Sequence, residues 1–209
     1  MRLTRRPSVV SGDGPSITKS ARLTVDAAHL LVQVVGATSS QVPDLDERLG
    51  DLHSSAARLA EEISDRLVSD LVLPFERADL HRISRTETHI VHMLLRVSRT
   101  LLADRTRQSP PTVSHGADEV LRATELLVVA TAALRKPTLL PDIARETGRI
   151  HLDLERTRQF VIGEAAASST SRGGARRAAE TLGVFADVAA DITAVIGDMR
   201  ILAAGAGRL

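Results

Sequence analysis

The stretch Leu71–His92, LVLPFERADLHRISRTETHIVH, reads as a helix, a forced break and a new helix. Pro74 has no backbone N–H to donate and biases Leu73 away from helical dihedrals, so a helix arriving from the left should stop near Asp70 to Val72. Glu76 and Asp79 then put two carboxylates into the first turn of the next helix, where the macrodipole favours negative charge. With Glu76 as N-cap, Phe75 falls at N′ and Leu80 at N4, the spacing of a hydrophobic staple. Such a joint fixes the entry angle of the second helix and predicts an αα-hairpin.

Outward from this joint the apolar residues repeat at helical spacing. The spacing predicts a first helix from Ile17 to about Ala37 and a second capped by Asp44, whose stripe Leu45, Leu49, Leu52, Ala56, Leu59, Ile63 and Leu67 is a bundle seam. The third runs from Glu76 to about Asp104 with Leu80, Ile83, Ile90, Leu94, Val97 and Leu101 inward. Glu87 lands in the middle of that face, where it must snorkel, pair with an arginine or ligate something, unless the site is an end of the bundle open to water. Helices over Ala117–Arg135, from Pro141 onward, and over about Ala175–Ala203 complete the set.

The division that follows is a disordered tail over 1–15, a first three-helix bundle over 16–104, a linker over 105–115 and a second bundle over 116–209. Six helices broken after the third suggest a twofold internal repeat, although the halves share no obvious identity. The fold class is all-α.

Composition narrows the function. The 209 residues are 43% hydrophobic, with three Phe and no Trp or Tyr, so the core is aliphatic and base-stacking platforms are missing. A net charge of +1 from 27 basic and 26 acidic residues provides no global field toward nucleic acid or anionic lipid. With no cysteine, thiolate chemistry and disulfides are excluded. The basic N-terminus lacks the apolar core of a signal peptide, and the longest strongly apolar run, Leu126–Leu134, is too short to span a bilayer. A cytoplasmic location is expected. No glycine-rich phosphate loop, G-x-S-x-G elbow or H-E-x-x-H is present, so no enzyme is indicated.

The joint itself, Pro74-Phe75-Glu76-Arg77-Ala78-Asp79-Leu80, resembles the Pro-Phe-Asp-Arg-Glu-Asp-Ile signature of the PhoU-like phosphate-transport regulators, in the branch that accompanies Pit-type inorganic phosphate transporters. Pro74, Phe75, Arg77 and Asp79 match, Glu76 and Leu80 are conservative, and helical spacing extends the likeness over roughly residues 16–203. The resemblance implies two three-helix bundles packed side by side. It implies a non-enzymatic regulator that contacts a membrane phosphate transporter from the inner face, with homo-oligomerisation left open.

The resemblance also implies E/D-x-x-x-D motifs that hold iron, zinc or similar ions, since residues four apart share a helical face and neighbouring helices converge their oxygens. In this chain Asp187-x-x-x-Asp191 is intact, extended by Glu180 and Asp198, while Glu155 has Gln159 as its partner. The corresponding positions in the first half are Thr88, His89 and His92 in the third helix and His53 and Ala57 in the second. The expected metal set is therefore Glu155, Asp187 and Asp191, holding at most a weakly bound divalent ion. His53, His89 and His92 form a nitrogen-rich alternative if the second and third helices are adjacent. Against both stands a plainly solvated face, which the angular position of Asp187 and Asp191 fits. Likewise Arg77 and Asp79 are either helix-start chemistry or part of a partner surface. Rival functions are a metal-binding bundle and a helical adaptor without metal or phosphate roles.

Overall fold

The computed structural model describes residues 14–69, 77–104, 109–134, 136–167 and 172–206. Among the described residues six α-helices follow one another: α1 Gly14–Val35, α2 Val42–Ser69, α3 Arg77–Ala103, α4 Pro111–Ala133, α5 Leu140–Ala167 and α6 Arg172–Ala206. Short 3-10 turns at Ser39–Gln41 and Pro137–Leu139 lead into α2 and α5, and no strand occurs among the described residues. Pro74 and Phe75, with the break expected around them, lie outside the described residues.

The helix starts show what local chemistry permits. α4 begins at Pro111, inside the connection expected over 105–115, because a proline in the first turn gives up an N–H that has no intrahelical acceptor anyway. α1 likewise starts at Gly14, within the expected tail. Asp44 is not the cap of α2 but lies in its first turn. The chain turns earlier, at Thr38, whose backbone N–H donates to Gln41 Oε1 at 2.9 Å, and the 3-10 turn runs straight into the helix.

Packing repeats between the halves. Exchanging α1 with α4, α2 with α5 and α3 with α6 leaves the set of packed helix pairs unchanged. Within it, α1, α4, α6 and α3 form a closed ring of neighbours, flanked by α2 on one side and α5 on the other. The buried positions keep one constant spacing per helix pair: Ile17 and Leu31 correspond to Val113 and Leu127, Leu45 and Ala56 to Ile143 and Leu154, and Ile83 and Leu94 to Phe185 and Ile196. The repeat inferred from helix order alone is thus present in the core. Each fully buried Leu or Ile contributes roughly 1.5–3 kcal/mol before ordering entropy is charged.

The register also shows where the halves differ. Phe185, the largest fully buried side chain among the described residues, packs against Gly116, where a Cβ would meet Leu182 Cδ2 at 2.8 Å and Phe185 Cδ2 at 2.9 Å. The corresponding position in α1 is Ser20, and it serves a different neighbour, described next.

Candidate functional site

Glu87 lies at the centre of α3 with no solvent exposure, so the water-accessible bundle end considered from the sequence is ruled out. Burial raises its pKa to about 8, and the Ser20 hydroxyl on α1 pulls the other way, yet neither carboxyl oxygen reaches a partner at hydrogen-bond distance. The group therefore carries its proton at neutral pH. The position corresponding to Glu87 in α6 is Ala189, equally buried, so the architecture does not require an acid there.

On the outer side of the same helix, Arg82, Arg85, His89, His92, Arg96 and Arg99 recur at alternating steps of three and four and are all exposed. This is the spacing of a bundle seam, filled with bases instead of aliphatic side chains. Two neighbours border it. From α2, His53 lays its ring against His92, with centroids 5.3 Å apart and planes tilted by 36°. Burial first, then the positive charge of His53 and His89, lowers the pKa of His92.

From α6 comes the acidic stripe. Asp198 Oδ2 accepts from Arg82 Nε at 2.7 Å, and Arg82 also reaches Asp79 at 2.8 Å. Asp191 is half-buried; desolvation raises its pKa, His89 opposes the rise and Asp187 adds to it. Of the stripe, Asp187 and Glu180 are exposed, as the angle from the apolar centre suggested, while Asp191 and Asp198 are partly covered. The stripe borders α3, because α6 packs on α3 as well as on α4 and α5.

At the end of the seam, Arg177 Nε of α6 donates to Asp104 Oδ2 at 3.0 Å. His53, His92, Leu95, Arg96, Arg99, Thr100, Ala103, Asp104 and Arg177 enclose an open groove of about 790 Å³. A smaller hollow of about 350 Å³ continues along the α2–α3 seam past His81, Arg85, Thr88 and His89.

Glu155 and Glu180 are paired on their own helices. Glu155 on α5 is held by Arg158 at 3.3 Å, and His151 Nδ1 donates to the Ala186 carbonyl on α6 at 3.0 Å. Glu180 is paired with Arg176 at 2.9 Å. The second and third helices do pack together, which brings His53 to His92. Among the described residues, however, no three His, Asp or Glu side chains gather closely enough to share one metal ion. Asp79 is engaged by Arg82, and exposed Arg77 opens α3. Sequence reasoning missed Arg96, Arg99 and Arg177; the signal for the first two was the three-and-four spacing they share with the histidines.

The fold matches that of solved structures. A PhoU-like protein from Shewanella oneidensis MR-1 superimposes with a TM-score of 0.76 at 16% identity, covering 98% of this chain and 100% of that one. A second protein from the same organism, assigned as a PhoU-like phosphate regulatory protein, gives a TM-score of 0.74 at 15% identity over 93% of this chain and 100% of its own. No protein-family model and no curated protein matches the sequence. The chain thus has the fold of PhoU-like helical proteins.

Proposed function

We propose that this chain is a non-catalytic regulator of inorganic phosphate transport that acts by contact with a Pit-type membrane transporter from the cytoplasmic side. The observation that carries the reading is the near full-length likeness of its fold to two PhoU-like proteins, one of them assigned to phosphate regulation. The resemblance of Pro74–Leu80 to the signature of the transporter-associated branch supports the same partner. No helix among the described residues is long and apolar enough to cross a membrane, so on this reading attachment to the membrane comes through the partner.

The test is chemical cross-linking in cells followed by recovery of the tagged chain, alongside uptake of labelled phosphate with and without it. Enrichment of a Pit-type transporter over a tag-only control, with a changed uptake rate, is the expected result. Absence of the transporter together with unchanged uptake would sink the proposal and leave a helical adaptor.

A further inference from the structure

We propose that the groove bounded by α2, α3 and α6 binds a small molecule carrying phosphoryl groups. The inference deepens the regulatory reading by giving it a ligand, and it stands on the chemistry of the groove. Five side chains able to carry positive charge line it: His53 from α2, His92, Arg96 and Arg99 from α3, and Arg177 from α6. Its one carboxylate, Asp104, is already engaged by Arg177 at 3.0 Å.

Many arginines elsewhere on the surface are matched by acid, although Arg22, Arg58, Arg85 and Arg200, like the groove arginines Arg96 and Arg99, form no ion pair among the described residues. Arg122, Arg145, Arg149, Arg156, Arg158 and Arg176 each hold a carboxylate on their own or a neighbouring helix. Arg96 and Arg99 form no ion pair among the described residues, in a chain whose acids nearly equal its bases. What sets Arg96 and Arg99 apart is that they line one groove together with Arg177 and His53.

Two guanidinium groups one helical turn apart present planar donor forks, which suit the oxygens of a phosphoryl group and bind them in charge-assisted hydrogen bonds. A phosphoryl group carries close to two negative charges, a better match than one carboxylate to the two guanidinium groups of Arg96 and Arg99. A volume of about 790 Å³ is in the range of small-molecule sites and exceeds what a single inorganic phosphate needs. Buried Leu95 and the Ala103 methyl add apolar wall, and with no Trp or Tyr in the chain recognition rests on the phosphoryl charge and not on stacking.

The experiment is calorimetric titration of the full chain with pyrophosphate and, separately, inorganic phosphate at low ionic strength. It is repeated on Arg96→Gln/Arg99→Gln and on a control of equal charge loss, Arg145→Gln/Arg156→Gln. Saturable pyrophosphate binding, weakened roughly tenfold or more by the groove pair and unchanged in the control, is expected from the loss of hydrogen bonds to a charged group. Equal affinity for inorganic phosphate would keep the site and assign it one phosphoryl group. All four arginines are exposed, so the variants should fold, and matched melting curves verify it. No saturable binding, or equal loss in the control pair, would overturn the proposal. None of these results bears on transporter cross-linking, so the two readings fail separately.

Discussion

Arg82 Nε and Asp198 Oδ2 meet at 2.7 Å across the seam where the third helix of one half packs on the third helix of the other. The same guanidinium holds Asp79 at 2.8 Å, so one exposed arginine links the start of α3 to the far part of α6. Such a pair is screened by salt, unlike the aliphatic contacts beneath it. Arg82→Gln and Asp198→Asn should each lower the melting temperature slightly at low salt, with a double-mutant coupling that vanishes near 1 M salt. Coupling that persists in high salt would mean the pair is not what couples these positions.

Gly116 is where α4 makes room for Leu182 and Phe185. Alanine there gains about 1 kcal/mol of helix propensity but pushes a methyl into two fully buried side chains, a strain of roughly 1–3 kcal/mol. Gly116→Ala should therefore be net destabilising by up to about 2 kcal/mol in urea unfolding. At Gly148 a Cβ would meet nothing within 4 Å, so Gly148→Ala should stabilise by up to about 1 kcal/mol. Equal effects at both sites would show that the close approach at Gly116 relaxes freely.

Glu87 makes stability depend on pH in a definite direction. Its pKa is raised from 4.5 to about 8 in the folded chain, so between those values the native state binds more protons than the unfolded state. Its contribution is fully present below the unfolded value and is lost as pH rises, at up to about 1.4 kcal/mol per pH unit. Glu87→Gln should flatten the decline of unfolding free energy between about pH 5 and pH 8, a window inside that shift. An identical pH profile for the variant would show that the carboxyl is charged or hydrated in the native state.

Of the acidic positions of α6, Asp198 is held by Arg82 and Glu180 by Arg176, which leaves Asp187 and Asp191 as the pair to test. Purified protein should hold at most one divalent ion per chain, removed by chelation with no change in melting temperature. Elemental analysis of wild type and of Asp187→Asn/Asp191→Asn checks this. Several tightly held metals that survive the double change would mean that the ligands lie elsewhere.

The sequence by itself determined the six helices and their inward faces, because a position on a helical face follows from local spacing at about 100° per residue. Leu182, Phe185, Ala189, Ile192, Ile196 and Met199 were legible as one stripe, and all six are fully buried. Even Glu87 could be placed on the apolar side of α3 in this way, although not how deeply it is buried. Tertiary structure alone decided which faces meet. Asp198 and Arg82 are more than a hundred residues apart, and nothing in either helix specifies that α6 rests on α3. The same holds for the groove: His53, Arg96 and Arg177 belong to three helices, and their convergence depends on how distant segments pack, a matter of summed burial over the whole core and not of any local signal.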